Sequence, residues 1–299
     1  NQKRYYPLSQ YLKDKYGEKV YKITIDGGFS CPNRDGTISY GGCIFCDDGG
    51  SFSQFCDNRL PIEEQVKIGI EQQHNRYGAN KFMAYFQAFS NTYKPVEELK
   101  NIYDCAFCDE RIVGISIGTR PDCVDEKKLD LIASYKNKYE VWIEYGLQTI
   151  HNKTLEFINR GHDYECFERA YHLTKKRGIK VCAHVILGLM GESREDMLLT
   201  AKKLAELNVD GVKFHCLCAL ENSQLSKVAD FVPMKEEDYV NIICDFLEIL
   251  PKNTIIHRLG ANGKNDKLIA PLWLKKRFGT VNKIDAELIR RNSFQGCKF

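Results

Sequence analysis

The sequence lacks the features that mark membrane proteins and secreted proteins. None of its apolar runs approaches the about 20 residues that a transmembrane helix needs. Its first residues, Asn-Gln-Lys-Arg-Tyr-Tyr, lack the apolar core of a signal peptide. The net charge of +3 gives no chain-wide signal for binding a polyanion, and no Pro/Ser-rich linker or low-complexity tract divides the chain. We therefore expect a protein with no membrane association and no strong tendency to bind nucleic acid.

Disulfide spacing is also missing, although cysteine itself is abundant. The 13 cysteines are an odd number without the regular spacing of a disulfide framework. Buried thiols and a metal site account better for such a set in a 299-residue chain. The pairs Cys105/Cys108 and Cys216/Cys218 are predicted to be buried thiols. We expect a reducing, cytoplasmic location.

Short β-like runs alternate with longer amphipathic segments along most of the chain. The predicted strands are 20–25, 82–88, 112–117, 140–144, 181–187 and 211–216. The predicted helices between them are 62–77, 96–107, 125–136, 164–177 and 194–207. This rhythm predicts parallel strands with right-handed crossovers, in either a doubly wound sheet or an open barrel.

Polar residues cluster at the carboxyl ends of the predicted strands, which favours the barrel. We therefore predict an α/β fold, a partial (β/α)6 TIM-like barrel with a C-terminal extension. Residues 1–218 would form the barrel together with an N-terminal helix. Residues 219–299 would pack on it as the extension, with a helix at 235–250, a strand at 254–259 and a helix at 286–291.

Three cysteines follow the first predicted strand, in the stretch CPNRDGTISYGGCIFC. Cys31, Cys43 and Cys46 can bind three irons of a [4Fe–4S] cube, and the fourth iron would then remain open to a small molecule. The Cys-x2-Cys pair alone is equally typical of zinc sites. The rest of the chain has to decide between these two interpretations.

The chain resembles the radical S-adenosylmethionine (SAM) superfamily over nearly its whole length. The motifs that carry the resemblance are CPNRDG, GGCIFC, YFQAFSNTY, SIGTRPDC, WIEYGLQT, NRGHD, HVILGLMGE and IAPLW. They resemble a subgroup related to the elongator catalytic subunit and to oxygen-independent coproporphyrinogen oxidase. Eleven residues separate Cys31 from Cys43, where the superfamily commonly has three. The resemblance implies a [4Fe–4S] cluster on Cys31, Cys43 and Cys46, with SAM bound to the open iron and cleaved to a 5′-deoxyadenosyl radical.

The resemblance also implies where SAM would bind. An aromatic residue, strand-end polar groups, a carboxylate, an arginine and a Gly-containing strand match the family's SAM positions. These are Phe45, Gln87, Asn91, Thr92, Glu144, Gln148, Arg160, Val185 and Gly188. Loop capping or simple packing explains several of them equally well. Arg120 and Asp122 are predicted either to serve SAM or to form an ion pair at the barrel rim.

The substrate is less visible in the sequence. Two segments, 219–223 and 257–266, depart from the subgroup's pattern at the predicted barrel mouth. The resemblance then implies a queuine lyase, which cleaves this modified deazaguanine base in a salvage reaction. The candidate substrate contacts are Asp26, Asp35, Glu221, Asn222, His257 and Asn262. The implied partners are a small-molecule substrate, a modified nucleobase, and an external reductant such as flavodoxin or ferredoxin.

Two other function classes remain open at this point. A radical SAM enzyme that modifies tRNA is one, and it would show tRNA affinity that falls steeply with salt. A non-catalytic protein that holds zinc on the three loop cysteines is the other, and it would leave the SAM motifs without a purpose.

Overall fold

The computed structural model describes residues 3–47, 49, 59–260, 266–276 and 279–299. Its strands are β1 Val20–Ile25, β2 Lys81–Phe86, β3 Ile112–Thr119, β4 Glu140–Gln148, β5 Lys180–Leu187, β6 Gly211–Cys216, β7 Ala219–Leu220, β8 Ile255–Arg258 and β9 Leu268–Ala270. Seven of them form one curled, parallel half-barrel in the order β1-β2-β3-β4-β5-β6-β8. The predicted partial barrel is therefore confirmed, with a seventh strand added.

Helices alternate with the strands and cover the outside of the sheet. They are α1 Leu8–Tyr16, α2 Ile62–Tyr77, α3 Val96–Cys105, α4 Glu126–Ser134, α5 Asn152–Phe157, α6 Tyr164–Lys176, α7 Arg194–Glu206, α8 Glu236–Ile249 and α9 Gly279–Arg290. Local signals set their starts: Asp125 and Asp163 cap α4 and α6, and Ser193 forms a capping box with Asp196 at α7. None of these helices combines the length and apolarity that a bilayer crossing requires.

The two faces of the sheet differ in chemistry because successive residues of a strand point in opposite directions. Ile23, Ile143, Ala183 and Val212 belong to the main apolar core beneath the helices, and each is at most 3% exposed. The alternate positions line the inside of the half-barrel, where polar residues accompany a small apolar cluster that includes Trp142 and Cys182. The inner face is therefore available for ligands, and the outer face stabilises the fold.

The C-terminal part of the chain contributes directly to the barrel. β8 pairs in parallel with β6, and a register shift between Val212 and Lys213 places Lys213 opposite Arg258. β7 and β9 form a separate antiparallel pair that the sequence did not indicate. α9 begins at Gly279, earlier than the predicted helix at 286–291. The division into residues 1–218 and 219–299 stays a prediction.

Candidate functional site

The loop between β1 and α2 brings the three cysteines to the carboxyl edge of the barrel. Cys43 is 5% exposed, and Cys31 and Cys46 are partly buried. Gly41 and Gly42 have φ angles of 83° and 79°, which glycine adopts without strain. They turn the chain back just before Cys43, and the Cys46 N–H donates to the Cys43 carbonyl at 2.9 Å. The long spacing after Cys31 is thus taken up by a tight, hydrogen-bonded loop.

The segment NRGHD holds this loop against the barrel. The Asn159 side-chain amide donates to the Gly42 carbonyl at 2.9 Å, and the Ile44 N–H donates to the Ile158 carbonyl at 3.1 Å. Asn33 in turn donates to the Asn159 carbonyl. These contacts fix the cysteine loop to a second, distant loop of the chain.

Three guanidinium groups surround the thiols. Arg160 Nη1 donates to Cys43 Sγ at 3.4 Å. Arg120 interacts electrostatically with Cys31 and Cys43, and Arg34 interacts with Cys46 and Cys31. Burial and the nearby Cys43 raise the pKa of the Cys46 thiol to about 11, while Arg34 acts to lower it. The site therefore favours ligands that carry negative charge.

The residues fit an iron–sulfur cube better than a single zinc ion. Zinc holds sulfur at about 2.3 Å, so the sulfurs of one tetrahedral site lie about 3.8 Å apart. Among the described residues, only Glu144, Cys182 and His184 offer three ligand atoms within 4.8 Å of one another, so the three loop sulfurs are spread more widely. A cube places its cysteines on separate irons. Arg120 Nη1, buried without a hydrogen-bond partner in the described part of the chain, adds an unused donor beside the thiols.

The ends of β2 and β3 are joined by the predicted SAM contacts. The Asn91 side-chain amide donates to the Gly118 carbonyl at 2.7 Å, and the Thr92 and Thr119 hydroxyls lie 2.7 Å apart. Gln87 follows β2 directly and is partly buried at the same end. Asn91 Oδ1 is buried and accepts no hydrogen bond from the described residues. This acceptor remains available to a ligand with an N–H donor.

The ion pair expected between Arg120 and Asp122 is present at the same rim. Its two parallel hydrogen bonds measure 2.9 Å and 2.7 Å, and Arg120 is 2% exposed. Such bidentate geometry holds a guanidinium in a fixed orientation. The pair therefore braces the rim and keeps Arg120 directed at the cysteine loop.

Gln148 and Arg160 meet beside Gly146 in β4. A Cβ on Gly146 would lie 2.5 Å from Arg160 Nη2 and 2.9 Å from Gln148 Nε2, so a side chain there would have to displace the ends of both of these side chains. Arg160 also donates to the Gly146 carbonyl through Nε and Nη2, at 3.2 Å and 2.6 Å. Gln148 has a φ of 78° where β4 shifts its register against β5, and such strain in a non-glycine residue is typical of functional sites. Both predicted contacts thus lie next to the cysteine loop.

Phe45 and β5 form an apolar floor under this loop. Phe45 packs against a small cluster that includes Ile44, Ile186 and Leu189. Val185 instead belongs to the main core on the outer face of the sheet. A side-chain contact with adenine would therefore come from Ile186, and Val185 offers only its backbone. Gly188 has a φ of 79°, in the turn that follows β5.

Glu144 lies at the centre of the barrel interior with both oxygens already paired. Oε1 accepts from Ser116 Oγ at 2.5 Å and forms an ion pair with Lys22. Oε2 accepts from Lys213 Nζ at 3.0 Å and from His184 Nε2 at 2.8 Å. Its predicted contact with SAM would have to replace one of these partners, and it stays a prediction.

The electrostatics of this cluster follow from burial. Burial and Lys213 lower the pKa of His184 to about 3 even though Glu144 opposes this, and burial lowers the pKa of Lys213 to about 8. Burial would raise the pKa of Glu144, but Lys213 and Lys22 hold it well below its usual range. At neutral pH the cluster therefore contains a carboxylate, ammonium groups and a neutral imidazole.

The six substrate candidates occupy different places. Asp26 directly follows β1 and is 4% exposed, and the His257 side chain lies inside the barrel, 1% exposed. Asp35 accepts from the Thr37 N–H at 3.0 Å within an exposed turn of the cysteine loop. Glu221 and Asn222 lie in an exposed turn after β7. Asn262 lies outside the described residues. Asp26 and the His257 side chain are thus the buried ones among the described candidates, and His257 is the one that contacts the interior residue Glu144.

Sequence reasoning missed most of the barrel's inner surface. Lys22, Tyr85, Ser116, Lys213 and Arg258 all contribute to it. The available signal was a lysine in the middle of an otherwise apolar strand, at Lys22 and again at Lys213. A buried lysine has to find a partner, which indicates a polar interior.

Comparisons with known proteins agree with this site. Residues 31–204 match the family model of the Radical SAM superfamily, and residues 209–290 match the Radical_SAM C-terminal domain. The chain is 40% identical to the uncharacterized protein YtqA of Bacillus subtilis (strain 168), over 100% of this chain and 94% of that protein. It is 41% identical to protein YhcC of Escherichia coli (strain K12), over 93% of this chain and 90% of that protein.

A solved structure extends the comparison to the fold. The archaeal Methanocaldococcus infernus Elp3 with an N-terminal deletion superposes with a TM-score of 0.70 at 19% identity. The match covers 92% of this chain and 64% of that chain. At this identity the likeness establishes the fold alone.

Proposed function

Because the chain belongs to the radical SAM superfamily and uses a [4Fe–4S] cluster and SAM, we propose that it is a lyase that cleaves queuine and releases the aminomethyl-deazaguanine base. The observation that carries the proposal is Asp26, a buried carboxylate at the end of β1, directly before the cysteine loop. A base bound by Asp26 would lie close to the site where the radical forms.

Cys31, Cys43 and Cys46 would hold the cluster, and Arg34, Arg120 and Arg160 would offset its negative charge. When bound, the cluster and SAM supply a 5′-deoxyadenosyl radical that removes a hydrogen atom from the substrate. Arg160 and Gln148 would orient SAM beside Cys43. The floor that Phe45 and Ile186 form would exclude water from the adenine side.

Asp26 is suited to recognise a guanine-type edge. Gln65 fixes its backbone through two hydrogen bonds of 2.9 Å and 3.0 Å, and its Oδ1 accepts from the Gly28 N–H at 2.9 Å. Burial raises the pKa of this carboxyl group, with the Gly28 amide opposing the shift. A deazaguanine presents two adjacent N–H donors, and a carboxylate can accept from both. The base would thus be bound at the rim, close to the cysteine loop.

Radical SAM enzymes need an electron from outside, and we propose flavodoxin or ferredoxin as the donor. A cytoplasmic location would suit both that donor and an oxygen-sensitive cluster. Both remain proposals alongside the substrate.

The test is anaerobic reconstitution with iron and sulfide, followed by reduction and chromatography of products formed from SAM with and without queuine. The proposal expects 5′-deoxyadenosine together with the aminomethyl-deazaguanine base. Asp26→Asn should still form 5′-deoxyadenosine slowly but should leave queuine largely intact. If wild-type protein makes 5′-deoxyadenosine and leaves queuine untouched, the lyase proposal fails. The same assay with bulk tRNA then tests the tRNA-modifying alternative.

A further inference from the structure

The barrel interior carries more positive than negative charge. Lys22, Lys213 and Arg258 reach it from β1, β6 and β8. Within the described part of the chain, Glu144 is the one carboxylate that pairs with any of these cations. The neighbouring histidines do not add negative charge. One carboxylate therefore faces three cations.

Two of these cations, Lys213 and Arg258, form a continuous row with His184 across three neighbouring strands. His184 on β5 lies opposite Lys213 on β6, and Lys213 lies opposite Arg258 on β8. Arg258 Nη2 is 2.7 Å from His215 Nδ1, while Arg258 Nε is buried and finds no partner among the described residues. The guanidinium thus has a donor that none of the described residues uses.

Lys22 and His184 border space that solvent can reach. The side chain of Lys22 is 21% exposed and that of His184 is 16% exposed, whereas the adjacent Ile23 and Ala183 are 3% and 0% exposed. Excess positive charge in such a confined space is unfavourable unless an opposite charge enters. The interior is therefore suited to bind an anion.

A cation would not suit the same place. Glu144, Cys182 and His184 do offer three ligand atoms within 4.8 Å of one another. The carboxylate among them is already paired with the ammonium groups of Lys22 and Lys213. A metal ion would face both positive charges at short range.

We infer that the barrel interior binds an oxyanion of the substrate, a phosphate or a carboxylate, through Lys22, Lys213 and Arg258. This inference goes beyond the proposed function, because free queuine carries no anionic group. A nucleotide of the same base would supply one in its phosphate. Asp26 would then bind the base at the rim, and the three cations would bind the phosphate inside the barrel. The link to this base rests on the proposed function, but the oxyanion site does not.

The test uses inorganic phosphate as the probe and equilibrium dialysis of the cluster-loaded protein at constant ionic strength. Wild-type protein should bind phosphate saturably, and Arg258→Gln and Lys213→Gln should each weaken binding about 10-fold or more. Arg258→Lys, which keeps the charge, should retain most of the affinity and shows that the site can be altered without loss of fold. Lys202→Gln, on the exposed face of α7, is the matched control and should bind like wild type.

Two further titrations identify the source of the oxyanion. If the queuine nucleoside 5′-phosphate displaces phosphate and queuine does not, the anion belongs to the substrate. If neither displaces it, phosphate is a separate ligand and the substrate assignment is overturned. Phosphate binding that is absent, or equal in wild type and both glutamine variants, overturns the oxyanion site itself. Failure of queuine cleavage with intact phosphate binding would refute only the proposed function.

Discussion

The rim and the interior of this half-barrel use charge in different ways. At the rim, Arg34, Arg120 and Arg160 surround three cysteines. In the interior, Lys22 and Lys213 close on a single carboxylate, Glu144. The positive charges at the rim face the cluster site, whereas the positive charge of the interior is partly neutralised by Glu144. Loss of a cluster ligand at the rim should therefore affect function first, and loss of the interior carboxylate should affect stability first.

The largest expected effect is at the rim. Cys43→Ala should abolish cluster assembly and 5′-deoxyadenosine formation, because the cube would lose one of its three protein ligands. Iron and sulfide content, visible absorbance and product chromatography measure this. Cys108→Ala is the control, since Cys108 is exposed rather than buried as predicted, and this variant should keep the cluster. Full activity of the Cys43 variant would refute the assignment of the ligands.

The next largest effect is in the interior. Glu144→Gln leaves Lys22 and Lys213 without their counter-charge and should lower the free energy of unfolding by about 3–5 kcal/mol. Denaturant unfolding of the apoprotein measures the change without interference from the cluster.

A matched control lies four residues earlier on the same strand. Glu140 is equally buried and pairs with Lys15 and Lys180, whose side chains are 45% and 35% exposed. Water can solvate those lysines, so Glu140→Gln should be clearly less destabilising than Glu144→Gln. If both variants lost the same free energy of unfolding, the exposure of the partner lysines would not matter, and this explanation would be wrong.

A smaller effect concerns the substrate at the rim. Asp26→Asn should weaken queuine binding by about 10- to 100-fold, because one partner of a charge-assisted hydrogen bond is lost. The rate of 5′-deoxyadenosine formation without substrate should stay close to wild type. Unchanged queuine affinity in this variant would remove Asp26 from the site.

The smallest effect is a pH dependence of stability. Burial and Lys22 lower the pKa of His257 from 6.5 to about 4, although Glu144 opposes the shift. The unfolded chain therefore binds the proton more readily than the folded chain. The contribution of neutral His257 to the free energy of unfolding is complete above about pH 6.5 and is lost as pH falls through about 4. The charged groups that act on His257 are Lys22, Glu144 and Lys213. His257→Asn should flatten the fall in unfolding free energy over that window, and an unchanged slope would contradict the assignment.

Much of the fold follows from local patterns. Strands 20–25 and 211–216 and helix 62–77 have the predicted bounds. The predicted strand 140–144 continues to Gln148 in the structure. The prediction stopped early because Gly146 and Gln148 are residue types common in loops, but pairing with the neighbouring strands keeps them in the sheet. β8 was predicted as a strand of the extension, and only its pairing with β6 shows that it belongs to the barrel.

The candidate site also has one part that the sequence predicts and one part that only the structure reveals. The rim is encoded in contiguous motifs, so its residues could be named from the sequence. The interior is encoded by single residues at alternate strand positions. Lys22 and Glu144 are 122 residues apart, and only closure of the sheet reveals that they pair.

The central claim is that substrate carbon is presented to a radical formed at the rim. The direct measurement is mass spectrometry of 5′-deoxyadenosine after anaerobic turnover with SAM and queuine deuterated throughout its cyclopentenediol and methylene groups. We predict deuterium in 5′-deoxyadenosine together with release of the aminomethyl-deazaguanine base. Unlabelled 5′-deoxyadenosine alongside intact queuine would contradict it.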